Sequence, residues 1–592
     1  MKSFRKILLS IQLFRRRYLT DRQYMLALSV VIGFLSGLAA VIIKNSVHWI
    51  QGVLTSGFDI RFDNVMFIFY PVIGIIITVL FIRFILRQYV GDGVPTVLYA
   101  ISKNKGILKA HNMFSSMITS SITVGFGGSV GLEGPTVATG AAIGSNISRF
   151  LHLNYKQTVT MLAVASAAAM SAIFKAPIAG IVFAVEVIML DLTIASLTPL
   201  LLASVTAALT SYFFLGMNVL YPFDIVRVFM MKDIGLYVLL GIFTGLVSLY
   251  FTRIYLYFQN FFSKISKWYW RLAIGGISLG VIVFLFPSLY GEGYRATNSV
   301  LHGQTDTLFE NSLFYGLQGN FTAVFILMSV VLILKVMATS LTFGAGGIGG
   351  IFAPTLFTGA HAGLLFAMAF KALGCVDLSE TNFALVGMAG LIAGVIHAPL
   401  TAIFLIAEIT GGYELFMPLM ITAVISFITI RIFTANSVYT IQLAKRGELM
   451  THHQDKNVLA MIDMNELIET NFKVVDGEAT LGDLVAVIED ANRNIFPVVD
   501  KEGYFLGHVI LDDVRHVMFK PEIYATTKVK DLMRIPVYTI SPDDTVEQIA
   551  QKFQSSGKYN LAVLRHGKYL GYISKANLFG QYRAKLKEVS EY

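Results

Sequence analysis

Apolar positions in this chain gather into long runs, at Tyr24–Ile43, Val65–Phe84, Thr158–Ile173, Ile178–Leu190, Leu197–Phe214, Leu236–Leu249, Leu272–Phe286, Thr322–Ala338, Phe383–Ile396, Leu400–Ile409 and Leu415–Phe433. A helix crossing a bilayer upright needs about 20 apolar residues, so several of these runs are too short to span. Their interruption by glycine and proline predicts broken or re-entrant helices, which a membrane accepts where the backbone lines a polar cavity. Beyond Met450 the pattern changes. Thr480–Ile510 predicts a helix (LGDLVAVIEDAN) and two strands (FPVVD, LGHVI) about a turn at Asp500–Gly503, and Thr545–Ile573 repeats it with VEQIAQKFQSSG, NLAVLRH and LGYIS about Gly567. That alternation predicts a small α/β domain built from two copies.

Composition adds the class. With 55% hydrophobic and 14% charged residues and a mean hydropathy of +0.66, the chain is too apolar for an ordinary soluble protein and reads as a polytopic membrane protein. About a tenth of the residues up to Met450 are charged, against over a quarter of those that follow. The expected division is a basic N-terminal helix at 1–23, a membrane domain at 24–445 with repeats near 24–215 and 235–435, and a soluble tail at 446–592 with units near 460–520 and 528–585. The opening MKSFRKILLSIQLFRRRYLTDRQY is basic, which predicts a cytoplasmic N-terminus. It lacks a small-residue cleavage site, so an amphipathic surface helix is expected in place of a signal peptide. These flanks account for most of the +9 formal charge without nucleic acid. The single cysteine, Cys375, allows no intrachain disulfide and reads as a small buried apolar residue.

The membrane part contains an internal repeat. Gly134-Pro-Thr-Val-Ala-Thr-Gly-Ala141 matches Ala353-Pro-Thr-Leu-Phe-Thr-Gly-Ala360, and Lys175-Ala-Pro177 to Glu186 matches His397-Ala-Pro399 to Glu408, in the same order and at nearly equal spacing. Transporters built from such repeats place their substrate where broken helix ends converge. The pattern alone leaves open whether the halves run parallel or inverted.

Three glycine-rich segments carry candidate chemistry: Gly91-Asp-Gly-Val-Pro95, Gly131-Leu-Glu-Gly-Pro135 and Gly349-Gly-Ile-Phe-Ala-Pro354. Each places proline near the start of a helix-forming run. A helix N-terminus offers free N–H groups and the positive end of the dipole, which together replace part of an anion's hydration shell. Glu133 stands inside one of these segments, and an acid at membrane depth is a functional-site candidate by default.

This ordered set, with the isolated Tyr439 after the last apolar run, closely resembles the CLC family of chloride channels and proton-coupled chloride exchangers, and the tail resembles the paired CBS domains common in that family. The resemblance implies an all-α membrane fold of two inverted repeats of broken and tilted helices, followed by a small α/β CBS pair. It implies a homodimer in the cell (inner) membrane with an anion pathway in each subunit, and both the N-terminus and the tail in the cytoplasm. Glu133 matches the gating glutamate, whose carboxylate occupies an anion position when ionised and leaves when protonated. Asp92, Gly93, Val94, Gly131, Gly134, Ile351, Phe352 and Tyr439 match the anion-binding positions, with chloride as the substrate ion and no cofactor, metal or enzymatic activity expected.

Three positions depart from the family pattern. Asp92 stands where serine is common and puts selectivity in doubt. Leu132 replaces a basic residue that would draw anions inward. Val187 occupies the position of the internal proton-transfer glutamate of well-known exchangers and cannot carry a proton, yet some exchangers lack that glutamate. The sequence therefore implies chloride transport gated by protonation of Glu133, and leaves open an obligatory chloride/proton antiporter or a passive channel. A non-conducting sensor is a rival on the strength of Asp92 and Leu132, whereas a cation transporter is disfavoured because helix N-termini repel cations.

The other polar candidates read as structural. Glu186 and Glu408, at equivalent repeat positions, suit helix pairing, Lys175 and His397 suit caps of broken helices, and His452-His453 suits a linker. In the tail, Asp513, Ser574 and Asn577 are the residues expected to touch an adenine nucleotide. Each half-site is incomplete, so a structural role for the tail is the preferred expectation.

Overall fold

The computed structural model describes residues 18, 20–56, 65–91, 93–188, 194–222, 229–374, 378–445, 462 and 464–590. The chain divides into two compact units, 1–449 and 450–592. Asp92, Cys375, His452, His453 and most of the basic N-terminal segment lie outside the described residues.

Among the described residues, the first unit is built from helices that fall into two matched sets of eight. The first set is α1 (Asp21–Thr55), α2 (Met66–Leu80, prolonged by a π-helical turn over Phe81–Leu86), α3 (Val94–Lys103), α4 (Asn112–Gly125), α5 (Glu133–Phe150), α6 (Tyr155–Phe174), α7 (Pro177–Glu186) and α8 (Ile194–Leu215). The second is α9 (Ile234–Ser263), α10 (Trp268–Leu285), α11 (Tyr294–Leu301), α12 (Phe321–Ala345), α13 (Phe352–Ala372), α14 (Glu380–Ile396), α15 (Pro399–Thr410) and α16 (Phe416–Arg431), after which comes the short α17 (Ile441–Lys445). Among the described residues, eight helices are long and apolar enough to cross a membrane. Between them lie pieces such as α7 and α15, each opening at an Ala-Pro step, where proline's missing N–H costs nothing.

Two contacts fix the sense of the repeat. Glu186, at the end of α7, accepts hydrogen bonds from the N–H groups of Leu400 (3.1 Å) and Thr401 (2.8 Å) and from the Thr401 hydroxyl (2.8 Å) at the start of α15. Glu408, in the last turn of α15, accepts from the N–H groups of Ile178 (3.1 Å) and Ala179 (2.8 Å) at the start of α7. Each half-helix thus caps the other's N-terminus, which requires the two to run antiparallel. The halves are therefore inverted. Lys175 and His397, at the αL ends of α6 and α14 (φ 57° and 60°), also serve packing. The Lys175 ammonium donates to the carbonyls of Leu215, Gly216 and Asn218 at 3.3, 2.7 and 2.9 Å, and the His397 ring meets Phe427 edge-on.

The second unit contains α18 (Met464–Leu467), β1 (Val475–Asp476), α19 (Leu481–Glu489), β2 (Ile495–Val499), β3 (Phe505–Ile510), α20 (Leu511–Val514), α21 (Val529–Leu532), α22 (Val546–Ser556), β4 (Asn560–Arg565), β5 (Lys568–Ser574) and α23 (Lys575–Ser590). β1 pairs parallel with β2, and β2 pairs antiparallel with β3. The second copy repeats the hairpin, β4 against β5, with Asn560 opposite Ser574. Thr480 and Thr545 close capping boxes on α19 and α22, the signal that makes both helix starts readable.

Candidate functional site: three helix N-termini around Glu133

The segments before α5 and α13 meet about a local two-fold. Gly131 N–H donates to the Gly350 carbonyl (2.8 Å) and Gly350 N–H to the Gly131 carbonyl (2.7 Å), an isolated antiparallel bridge between the repeats. Glycine is required there. A Cβ on Gly350 would stand 2.7 Å from the Gly134 nitrogen, closer than backbone tolerates. On the other side Gly93 (φ 76°), the residue before α3, approaches so closely that its Cβ would lie 3.0 Å from Gly134 Cα. The starts of α3, α5 and α13 therefore converge on Gly134, and with them the three glycine-rich segments. Asp92 itself is outside the described residues.

Glu133 is the first residue of α5 and is 1% exposed. Its Oε1 accepts a hydrogen bond from the Tyr294 hydroxyl at 3.0 Å. Its Oε2 lies beside Gly131 and Gly350 and accepts no hydrogen bond among the described residues, although the N–H groups of Glu133 and Ala353 lie near the carboxylate. The carboxylate is thus held where the N-termini of α5 and α13 concentrate positive potential.

Below it is a cavity of about 30 Å³ bordered by Val94, Gly134, Gly350, Ile351 and Tyr439, above the ~10–15 Å³ that one water needs. Phe352 begins α13 behind Ile351, and its ring meets Phe174 at 5.5 Å. Tyr439, 6% exposed, precedes α17. Tyr255, Gln259 and Phe343 border this cavity and also a wider one of about 750 Å³, which Arg83, Arg87 and Arg271 line. A second large cavity, about 430 Å³, opens toward the far end of α1 and is lined by Lys44, Gln51, Glu292 and Tyr294. Glu133 borders neither cavity.

Val187 follows α7 directly; it is 6% exposed, and its N–H donates to the Phe183 carbonyl at 2.9 Å. Glu186 beside it is fully engaged in capping α15. Leu132 is buried as the residue before α5.

Sequence reasoning passed over Tyr294, Glu292, Lys335 and Lys44. Lys335, fully buried in α12, donates to Ser129 Oγ (2.9 Å) and to the Gly291 carbonyl (3.1 Å), and lies 4.9 Å from the Phe357 ring centre. A lone lysine within Thr322–Ala338, and a glycine-flanked acid at Gly291-Glu-Gly293, were the available signals, since ionisable groups at membrane depth mark pathways.

The tail residues have partners of their own. Ser574 donates to Glu469, and Asn577 donates to the Leu467 carbonyl (3.2 Å), so both hydroxyl and amide are used in tying α18 to the second copy. Asp513 pairs with Arg534 at 2.6 Å. Arg534 lines a cleft of about 740 Å³ between the two copies, with Arg493, His508, Tyr538 and Lys558.

The family model described as voltage gated chloride channel matches residues 73–431, and the CBS domain model matches residues 464–520 and 529–583. A ClcB-like chloride channel protein of Ralstonia nicotianae is 29% identical over 442 residues, covering 72% of this chain and 97% of that one. The H(+)/Cl(-) exchange transporter ClcA of Salmonella typhimurium is 28% identical over 457 residues, covering 74% and 92%. Among solved structures, a slow cyanobacterial Cl−/H+ antiporter superposes with a TM-score of 0.61 at 21% identity, covering 72% of this chain and 98% of that chain. A eukaryotic CLC transporter gives 0.60 at 17% identity, covering 93% and 97%. The inverted repeat, the helix N-termini around Glu133 and these matches lead to one statement: this chain belongs to the CLC family of chloride transport proteins and carries a C-terminal CBS pair.

Proposed function

We infer that the protein is a chloride/proton exchanger in which Glu133 serves in turn as a tethered anion and as a proton carrier. One observation carries the reading: the buried carboxylate stands at converging helix N-termini between two cavities and borders neither. Ionised, it competes with chloride for the same N–H groups; protonated, it loses that attraction and vacates the position. The exchangers and antiporters among the relatives support coupling. Gly93, Val94, Gly131, Gly134, Ile351, Phe352 and Tyr439 are proposed to surround the anion, and Asp92, outside the described residues, is proposed to join them on the sequence match alone.

Val187 favours the second reading, a passive channel, because it offers no acid on the inner side. Liposomes under opposed chloride and proton gradients separate the two. A reversal potential displaced toward the proton gradient supports exchange, and one that follows chloride alone supports a channel. Glu133→Ala is expected to leave chloride flux independent of pH and to abolish proton movement. Well-folded protein with no flux would favour the non-conducting sensor.

The proposal extends to a homodimer in the inner membrane, with the N-terminus and tail in the cytoplasm. Apolar side chains turned outward from α7, α8, α15 and α16, among them Ile178, Leu201, Leu400, Met417 and Ile428, supply a face suited to a second copy. The tail is proposed to serve assembly, and its basic cleft is of a size that holds small ligands. A rise in the tail's Tm with added ATP would assign a nucleotide there; an unchanged Tm supports the structural role.

A further inference from the structure

The cavity toward the far end of α1 holds an acid for which the exchange reading has no task. Glu292 stands in the loop Tyr290-Gly-Glu-Gly-Tyr294, between two left-handed glycines, Gly291 (φ 62°) and Gly293 (φ 85°). A Cβ at Gly293 would lie 2.5 Å from the Phe357 ring, so the loop is seated directly on α13. It is also fastened to the segment that carries Glu133: Gly291 N–H donates to the Gly127 carbonyl (3.3 Å), and Lys335 bridges the Gly291 carbonyl to Ser129. The Leu132 N–H, one residue before Glu133, faces the Glu292 carboxylate.

Charged and titratable groups surround Glu292 from every neighbouring element. Lys44 and His48 come from α1, Glu133 from the start of α5, and Lys335 from α12. Tyr294 and Arg295 follow on α11, Glu310 lies across the cavity, and Tyr221 packs from the loop after α8. Glu133 interacts electrostatically with Glu292 yet does not border the cavity.

A carboxyl that must exchange protons with water without touching it needs an intermediary. Tyr294 and Glu292 both line the cavity; Tyr294 donates to Glu133 directly, and Glu292 stands close enough to interact with it electrostatically. Tyrosine keeps its proton near neutral pH, and its one O–H is already given to Glu133, so it orients the carboxylate and supplies no proton. We propose that Glu292 is the proton donor and acceptor for Glu133 on the side facing this cavity, which is the outer side if the basic N-terminus is cytoplasmic. A proton from bulk solution reaches the Glu292 carboxylate through water in the cavity. The proton then passes to the Glu133 carboxylate, directly or over one water, leaving Glu292 ionised for the next; release reverses the sequence. Lys44 and Lys335 offset the extra negative charge when both acids are ionised, so the pair shares protons in place of repelling them out of the site.

This inference rests on Glu133 as the gate, and its test keeps the two apart. Chloride efflux and proton movement are followed in liposomes of the full chain against external pH for wild type, Glu292→Gln, Glu292→Asp and Glu133→Ala. Glu292→Gln is expected to slow proton movement by roughly tenfold or more, in line with the worth of a positioned proton donor, and to flatten the dependence on external pH. Glu292→Asp, which keeps a titratable group, is expected to retain most of both. Wild-type proton movement in Glu292→Gln, or equal loss in the Asp and Gln variants, overturns the relay. If Glu133→Ala keeps a wild-type pH dependence, the gate assignment fails whatever Glu292 does. Should Glu292→Gln fail to yield dimers or monomers of normal size, Glu292→Asp decides, since retained coupling supports a titrating role and lost coupling in folded protein refutes it.

Discussion

At the scale of single residues, the site is a matter of who donates to Glu133. Tyr294 is the side-chain donor to its carboxylate, and a hydrogen bond to an ionised group contributes about 1.5–3 kcal/mol. Tyr294→Phe weakens the ionised form, proposed above to block the anion position, more than the neutral form, so the pH below which chloride flux turns on should move upward; an unchanged flux–pH profile in liposomes would refute the role. Glu133 was legible because it is the sole charge among glycines, and helix-start chemistry gives such an acid a purpose. Tyr294 was not, because it lies 161 residues away and carries no local signature; only folding places its hydroxyl on that carboxylate. Glu292 had a signature, glycine on both sides, but it fell between two runs where no periodicity drew attention to it.

At the scale of elements, the apolar runs and the Gly-Pro starts are where pattern and structure agree: the half-helices α7 and α15 begin at the predicted prolines, and α3, α5 and α13 follow the three glycine-rich segments. α4 escaped notice. Its buried face is Ser115, Ser116, Thr119, Ser120 and Thr123, which no hydropathy reading selects. Several of these hydroxyls bond back to their own turn, Thr119 to the Ser115 carbonyl (2.7 Å) and Thr123 to that of Thr119 (2.8 Å), and Ser115 Oγ pairs with the His111 ring (3.1 Å). The orientation of the repeat was equally hidden, since it depends on cross-repeat capping. Glu186→Ala leaves the N–H groups of Leu400 and Thr401 without their acceptor, and each such group costs about 1–3 kcal/mol. The expected result is a lower Tm of the purified protein. Proton coupling should survive in whatever remains folded, and its selective loss would instead make Glu186 a relay. Gly350→Ala should cost a comparable ~1–3 kcal/mol by overpacking and abolish flux, because the nearest atom opposing the new methyl is the Gly134 backbone nitrogen, with Glu133 Oε2 next to it; wild-type flux would contradict the close approach.

On the scale of the whole molecule, the chain joins two units with separate cores. The membrane unit buries small residues and hydroxyls, and the tail buries Val475, Leu484, Phe496, Ile549 and Val563 in ordinary soluble fashion. In the tail, burial holds the His508 imidazole below its ordinary value of 6.5, and Lys558 adds to the effect. The folded tail therefore takes up that proton less readily than the unfolded chain, so its stability is full above 6.5 and declines as pH falls below that value. Thermal unfolding of residues 464–590 on either side of 6.5 checks this, with His508→Gln expected to weaken the dependence; a Tm that ignores acid down to the carboxylate range would refute it.

The exchanged caps between α7 and α15 also set a timetable for synthesis. Glu186 is made 214 residues before Leu400, whose N–H it will accept. At about 5–20 residues per second, the nascent first half waits roughly 10–40 s with a carboxylate in the membrane and no donor to meet it. A half-made chain is therefore an unfinished structure, in which that carboxyl stays protonated or hydrated until the second half arrives.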